Sequence, residues 1–317
     1  MPLALRLSIL VQFYTTMDLA KKQPIALTGS TNLTYLVFFV VVLIGGSNAV
    51  AVRFSNLELP PFWGAAFRFG AAALLFWSVV LLQRIPIPKG RALAGAIIYG
   101  GLTIGIAYAL LYWALLSVQA SLLMVLMSLG PLFTFFFAWG HGQEKFRWRG
   151  LIGALVAFVG ILVGVGNQIG QTLPLIPLVA ILMAAASIAE GTVLFKSFPR
   201  SHPLVVNAVA LTTGTGFLLL TSLIAGESLV LPAASPTWIA YLYLVFVGSV
   251  LLFYLYLYVL ERWTASATSY TFLLFPVATI IIAAWLGGEV ISPRFLLGSA
   301  VVLVGVWVGA IAHPKGK

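Results

Sequence analysis

The sequence contains no cysteine, which excludes disulfide bridges, thiolate metal sites and cysteine nucleophiles. Histidine is also scarce, and His141, His202 and His313 stand far apart without the spacing of a metal site. No glycine-rich Walker loop for nucleotide phosphates is present, so the chain carries no visible means of hydrolysing ATP. These absences predict a protein that works without a cofactor or a bound metal ion.

Charge is the second scarce property. Only 8% of the 317 residues are charged, against about 25% in an ordinary soluble domain. Hydrophobic residues make up 62%, and the mean hydropathy is +1.10, so lipid rather than water is the expected solvent. The net charge of +10 does not indicate a nucleic-acid partner, because the cations stand singly or in small groups between apolar runs.

Most of the sequence consists of long apolar runs instead. A helix needs about 20 apolar residues to cross the hydrocarbon core. Barrel strands would instead alternate apolar and polar residues over about 10 positions, and no such alternation is seen. The continuous runs therefore predict an all-α membrane protein with ten transmembrane helices, at roughly residues 33–52, 61–82, 92–115, 119–139, 149–167, 174–195, 203–224, 237–259, 264–286 and 293–312.

The distribution of Lys and Arg predicts how these spans are oriented. With the N-terminus placed in the cytoplasm, 14 of the 17 cationic residues fall on the inner side, and only Arg53 and Arg294 fall on the outer side. Arg68 lies within a span. Because positive charge favours the cytoplasmic side, the sequence predicts a multi-pass protein of the inner cell membrane with both termini in the cytoplasm.

The two halves of the chain repeat each other: residues 115–164 match the second half at an offset of 145 residues without a gap, and Pro131 and Glu144 meet Pro276 and Glu289. Each half has five spans, an odd number, so the second copy must enter the membrane from the opposite side. Inverted repeats of this kind are a known transporter design, although a duplication kept only for packing is the alternative. The predicted domains are a cytoplasmic N-terminal segment (1–32), two five-helix repeats (33–168 and 172–312) and a cytoplasmic tail (313–317).

Local motifs are similar to those of one transporter family. The first span ends in GSNAVAVR, the second begins with LPPFWGAAFR, and the sixth carries AEGTVL. The helices of Pro131 and Pro276 are each followed by a short Gly/Glu turn and a Gly-rich helix. In these features the chain resembles the EamA family of the drug/metabolite transporter superfamily over about residues 33–312. The resemblance implies a ten-helix metabolite exporter with a central cavity between the halves, lined by the first four helices of each half.

Arg68 is the most informative residue, because a charge inside a span costs at least about 2.5 kcal/mol unless it faces protein or water. Its helical neighbours Gly64, Ala71 and Ala72 are small, so that face suits a second helix or a cavity. One interpretation makes Arg68 the binding group for a substrate carboxylate or phosphate. The alternative is a structural contact to backbone carbonyls or to a carboxylate.

Glu190 is the single acidic residue inside a predicted span. It suggests proton coupling or capture of a cationic substrate group, and the alternative is a salt bridge with Lys196 or Arg200. From the helix rise, Arg68 and Glu190 differ by roughly 10 Å in height, so we do not expect them to pair directly.

Other polar and aromatic side chains in the spans predict the walls of a cavity. Asn48 needs hydrogen-bond partners within the membrane, so it binds substrate or joins two helices. Aromatic residues suit an amphipathic ligand but also form lipid-facing belts. Pro131 and Pro276, about 12 residues into their helices, are expected hinges or static bends. The predicted cavity residues are Asn48, Arg68, Tyr108, Tyr112, Glu190, Asn207, Tyr254 and Tyr270.

Together these features predict a secondary transporter, not an enzyme, that exports small metabolites such as amino acids by alternating access. A membrane-embedded lipid-modifying enzyme needs paired acids or a histidine cluster, and a channel usually shows rings of charge; neither pattern is visible. The expected partners are a small-molecule substrate and membrane lipid. The Gly-rich fifth and tenth spans favour internal packing and a monomer, with a homodimer through Gly160-xxx-Gly164 and Gly305-xxx-Gly309 as the alternative.

Overall fold

The structure is a computed structural model that describes residues 31–165, 174–262 and 270–311. All regular secondary structure in these residues is helical. The contacts discussed below lie within the compact unit that begins at Phe38. The helices are α1 (Thr31–Ser55), α2 (Pro61–Leu82), α3 (Arg91–Ala114), α4 (Ala120–Met127 and Gly130–Gly140), α5 (Trp148–Val165), α6 (Leu175–Phe195), α7 (Pro203–Ile224), α8 (Ser235–Val245, Phe246–Leu251 and Leu252–Arg262), α9 (Tyr270–Trp285) and α10 (Pro293–Val306 and Trp307–Ile311).

Length and hydropathy make this a multi-pass membrane protein. Seven of the helices (α1 to α4 and α6 to α8) are long and apolar enough to cross a bilayer, and α5, α9 and α10 are shorter apolar helices. Each predicted run coincides with one of these helices to within a few residues. The start of the ninth run, residues 264–269, lies outside the described residues. Many large apolar side chains, such as Leu43, Leu74 and Ile239, are exposed on the bundle, which suits a surface that faces lipid.

Several helices depart from the regular α-helical pattern. Gly101–Ile106 in α3 and Phe246–Leu251 in α8 are π-helical turns, and they are separated by the same 145-residue offset that relates the two halves of the sequence. Such turns are rare and are frequent at functional sites. α4 is broken at residues 128–129, and Pro131 is the second residue after the break, where its missing N–H costs least. Pro276, in contrast, lies inside α9.

Helices α5 and α10 pack backbone against backbone through their glycines. A Cβ added at Gly160 would lie 2.6 Å from Val302 N, and one added at Gly298 would lie 2.6 Å from Gly160 O. Neither position has room for a side chain, so the small residues permit a close approach of the two helices. The Gly-rich stripes are therefore used in internal packing, and a homodimer stays a prediction.

Candidate functional site

A cavity of about 100 Å³ lies among helices of both sequence halves. Its wall is mainly apolar, with Met124 and Met127 of α4, Ile188 of α6 and Phe272 and Phe275 of α9. The space is several times what one water molecule requires, so it accepts the polar end of a small metabolite. Four predicted cavity residues supply the polar part of the lining: Asn48, Arg68, Tyr108 and Tyr112.

Arg68 is fully buried at the edge of this cavity. Its Nε donates to Ser249 Oγ at 2.8 Å, Nη1 to Tyr112 OH at 3.1 Å and Nη2 to the Gly248 carbonyl at 2.7 Å. Gly248 and Ser249 belong to the π-helical turn of α8, so the irregular turn supplies two acceptors for one cation. The guanidinium also lies 4.8 Å from the centre of the Phe69 ring, a favourable contact for a cation.

The charge of Arg68 has no counter-ion in the part of the chain that the structure describes. The ion pairs there join Arg53 to Glu289, His141 to Glu190 and Arg147 to Glu144, so none of them reaches the Arg68 guanidinium. A guanidinium carries five N–H groups, and only three find acceptors. Because a buried charge without a partner is costly, the site favours an anionic group in the cavity.

Asn48 adds an unsatisfied acceptor beside this cation. Its Nδ2 donates to the Gly248 carbonyl at 3.1 Å, the same oxygen that Arg68 uses. Its Oδ1 is buried and accepts no hydrogen bond from any described residue. Gly248 has no room for a side chain, because an added Cβ would overlap Asn48 Oδ1 and lie 3.2 Å from Arg68 Nη2. The site thus offers a donor group for an anion and a free acceptor close together.

Tyr108 and Tyr112 complete the polar lining. Tyr112 is buried and holds Arg68 through its hydroxyl, while its backbone carbonyl accepts from Asn56 Nδ2 at 3.0 Å. Tyr108 packs edge-on against Phe69 with 4.6 Å between ring centres and lies 5.8 Å from the guanidinium. These rings hold Arg68 in one orientation, which reduces the entropy that a ligand must remove when it binds.

Two of the other predicted cavity residues, Asn207 and Tyr254, do not line the cavity. Asn207 is buried in α7, where its Nδ2 has no partner among the described residues, and it does not line the cavity. Tyr254 is partly buried in α8 and is also absent from the lining. Tyr270 opens α9, but its side chain lies outside the described atoms. The role of all these residues in substrate binding stays a prediction.

Glu190 has a partner that the sequence did not suggest. Its Oε1 lies 2.7 Å from His141 Nε2, whereas Lys196 and Arg200 form no ion pair with it among the described residues. Glu190 therefore has a structural partner, as one of the two interpretations expected, but that partner is His141 and not Lys196 or Arg200. Sequence spacing gave no hint of the real pair, because His141 is 49 residues away and follows the end of another helix. Arg68 and Glu190 bind different groups and do not pair.

Three carboxylates close one end of the bundle, the end where α2, α4 and α8 begin. Glu58, between α1 and α2, accepts from the backbone N–H groups of Ala233 and Ala234 at the start of α8, at 2.8 and 3.0 Å. Glu227, between α7 and α8, accepts in return from Phe62 and Trp63 at the start of α2. The first turn of a helix has free N–H groups and favours a negative charge. Each of these two carboxylates therefore caps a helix of the other sequence half.

Glu289, between α9 and α10, makes the most extensive of these caps. It accepts from Ala120 N at 2.7 Å and from Ser121 N and Oγ at 3.2 and 2.6 Å, all at the start of α4. Arg53 Nη1, at the end of α1, lies 2.6 Å from the same carboxylate. We call Glu58, Glu227 and Glu289 the carboxylate caps, and they bind the two halves together at this end.

A family model described as the EamA-like transporter family matches residues 32–165 and again residues 175–310. Among curated proteins, the uncharacterized inner membrane transporter YedA of Escherichia coli K12 is 28% identical over 274 residues, 84% of this chain and 87% of that protein. A probable amino-acid metabolite efflux pump of Salmonella typhimurium is 26% identical over 281 residues, 85% of this chain and 92% of that protein.

One further curated protein and one solved structure are also similar to this chain. A probable terminal-alkyne amino-acid exporter of Streptantibioticus cattleyicolor is 28% identical and covers 69% of this chain and 73% of its own. A solved protein structure superposes with a TM-score of 0.61 over 88% of this chain and 97% of the other. At 21% identity this last likeness concerns the fold alone.

Proposed function

This chain belongs to the EamA-like transporter family, and on that premise we propose that it is a secondary carrier of the inner membrane that exports amino acids or similar zwitterionic metabolites by alternating access. Ten membrane-spanning helices in two inverted five-helix repeats, roughly residues 33–168 and 172–312, are part of this proposal. It is supported by the two matches of one family model, by the matched π-helical turns and by relatives named as transporters.

We infer the class of substrate from two groups at the cavity whose hydrogen-bonding capacity is not satisfied. Arg68 has unused N–H donors and no carboxylate partner, and the nearby Asn48 Oδ1 has no donor. An amino acid brings a carboxylate and an ammonium group on one carbon, so it satisfies both needs at once. The apolar wall formed by Met124, Met127 and Phe272 then receives the side chain. Relatives named as amino-acid exporters or efflux pumps agree with this class.

The carboxylate caps support alternating access. In this structure they hold the end where α2, α4 and α8 begin, and the cavity lies below them. The described residues at the opposite end show no carboxylate of one half bonded to a helix start of the other. Release of the substrate at the capped end therefore requires the caps to break, and rocking of the two halves is a motion that does this.

A thermal-shift screen with matched ligands tests the substrate class. Leucine, phenylalanine and threonine are each compared with the amine that lacks the carboxylate and with the acid that lacks the amino group. We expect only the amino acids to raise the melting temperature, because only they carry both the carboxylate and the ammonium group. A ligand present at about 100 times its Kd stabilises the folded state by about 2.7 kcal/mol, which sets the size of the expected shift. Equal stabilisation by the amines would remove Arg68 from recognition.

Arg68→Ala and the control Arg147→Ala extend the test to transport. Arg147 is also an arginine, but it lies at the surface and pairs with Glu144. In proteoliposomes we expect Arg68→Ala to reduce amino-acid exchange at least tenfold while Arg147→Ala retains it, since loss of one charge-assisted hydrogen bond costs about 1.5–3 kcal/mol. A folded Arg68→Ala protein with normal exchange would contradict the proposal.

A further inference from the structure

The ion pair of His141 and Glu190 lies at the end of the bundle opposite the carboxylate caps. His141 directly follows α4, and Glu190 lies five residues before the end of α6. Nε2 and Oε1 are 2.7 Å apart, and the two side chains keep 40% and 26% of their surface. Water therefore reaches the imidazole, whose two ring nitrogens can each donate or accept a proton.

The second oxygen of Glu190 is the unusual feature of this pair. Oε2 is buried and has no hydrogen-bond donor among the described residues. An unpaired buried carboxylate oxygen costs about 1–3 kcal/mol or more, so helix packing alone does not explain an acid at this position. A carboxyl group that carries a proton for part of the transport cycle avoids this cost, because the neutral form is much cheaper to bury.

The surroundings leave His141 as the group that exchanges protons with Glu190. α6 packs against α3 and α4, and Gln143 of the following turn, which is neutral, donates to Val193 O and Ser197 Oγ. Glu144 is paired with Arg147. Tyr99 of α3 packs on Phe195 with 5.0 Å between ring centres. The titratable and charged side chains of these elements at this end are Arg91, Tyr99, His141, Glu144, Lys145, Arg147 and Lys196.

We infer that His141 and Glu190 form a proton-coupling site, separate from the substrate cavity, which makes this carrier a proton-linked transporter. The inference rests on the proposed function. A proton from water binds the imidazole at Nδ1, and the imidazole passes its Nε2 proton to Oε1 of Glu190. The histidine returns to its neutral form as the other tautomer, and the carboxylate becomes a carboxylic acid, so charge and protons balance.

The position of the pair links this proton to the cavity. Ile188, two residues before Glu190 on α6, lines the cavity, and so does Met127 at the end of the first segment of α4. The second segment, Gly130–Gly140, packs on α6 and ends next to His141. Protonation of Glu190 replaces the charge-assisted hydrogen bond between the end of α4 and α6 by a weaker bond between two neutral groups. Proton binding and the opening of this end therefore become one event.

Two measurements in proteoliposomes separate coupling from transport itself. The first is exchange of labelled amino acid for unlabelled amino acid at equal pH on both sides, and the second is net transport driven by a pH difference. The probe is whichever of leucine, phenylalanine and threonine stabilises the wild-type protein most. A zwitterion carries no net charge, so any current that accompanies its net transport comes from the proton.

We expect Glu190→Gln to retain exchange. Its pH-driven net transport and the accompanying current should both fall at least tenfold. Glu144→Gln is the matched control, because Glu144 follows the same helix end but pairs with Arg147 at the surface. It should retain both activities. Glu190→Gln with pH-driven transport equal to wild type would overturn the inference, and so would a folded Glu190→Gln protein that has lost exchange as well.

His141→Gln provides a second route if Glu190→Gln does not fold. It keeps a hydrogen-bonding side chain but removes the imidazole that passes the proton on, so pH-driven transport should fall at least tenfold with exchange retained. Unchanged coupling in this folded variant would overturn the role of the pair. A wild-type protein that exchanges amino acids but shows no net transport under a pH difference would overturn this inference alone. A wild-type protein without any exchange would overturn the proposed function too.

Discussion

Replacement of Glu289 by glutamine tests whether a carboxylate cap opens during transport. Its carboxylate is 2% exposed and accepts three hydrogen bonds from Ala120 and Ser121 at the start of α4. The fourth donor, Arg53, is 40% exposed, so that ion pair contributes only about 0–1 kcal/mol. Glutamine keeps one acceptor oxygen, but its amide N–H₂ group then points at an N–H group of Ala120 or Ser121, which loses its acceptor.

The magnitude follows from these bonds. Hydrogen bonds to a charged acceptor contribute about 1.5–3 kcal/mol and those to a neutral acceptor about 0.5–1.5 kcal/mol, and one donor at the start of α4 is left unpaired. Glu289→Gln should therefore weaken the cap by about 3 kcal/mol. If the cap exists only while this end is closed, the population of the open form rises roughly 100-fold.

Cysteine labelling measures that population directly. The chain has no cysteine of its own, so Val52→Cys introduces the only thiol. Val52 is 4% exposed and lines the cavity below the caps. We expect a membrane-impermeant maleimide, added on the outer side, to label Val52→Cys at least ten times faster in the Glu289→Gln background. Glu144→Gln is the control and should leave the rate unchanged.

The refuting result is specific. If Glu289→Gln lowers the melting temperature but leaves the labelling rate unchanged, the cap is a static part of both conformations. Faster labelling from the cytoplasmic side only would instead refute the predicted orientation, in which both termini are cytoplasmic.

Two further predictions concern a second carboxylate cap, Glu58, and the cavity. Hydrogen bonds from the backbone of Ala234 and Ala233 hold the pKa of Glu58 below its usual range; its stabilising effect is therefore complete above the ordinary carboxyl pKa and is lost as the pH falls through the lowered value. Glu58→Gln should flatten the acid side of a plot of melting temperature against pH, and a profile identical to wild type would contradict this. Gly248→Ala should weaken amino-acid binding at least tenfold in the thermal-shift screen, because the new methyl group overlaps Asn48 Oδ1. Gly101→Ala, in the π-helical turn of α3 and with open space around its Cβ, is the control, and equal losses in both variants would refute a local effect.

Composition and periodicity were enough to predict the helices but not the way they interlock. The apolar runs coincide with helices because a chain in lipid must satisfy its backbone within each segment. The isolated charge of Arg68 likewise marked the cavity, since a lone cation in a span needs protein or water beside it. The π-helical turn that offers Gly248 O leaves no such mark, because it depends on how α8 packs on α2. The sequence did not predict the pairing of His141 with Glu190 either, because that contact depends on how α4 packs on α6.

The two halves are related in sequence, but Asn48 and Arg68 of the first half line the cavity and their counterparts in the second half do not. Ahead of the segment that repeats at 145 residues the offset is 142, as between Pro61 and Pro203 at the starts of α2 and α7, so Asn48 corresponds to Glu190 and Arg68 to Ala210. Asn48 and Arg68 meet at the π-helical turn of α8 and line the cavity, whereas Ala210 packs directly on Gly100 and Glu190 turns to His141. A duplication kept for packing alone gives no reason for this divergence. A carrier does give one, because one half then holds the substrate while the matching position of the other half is free to bind a proton.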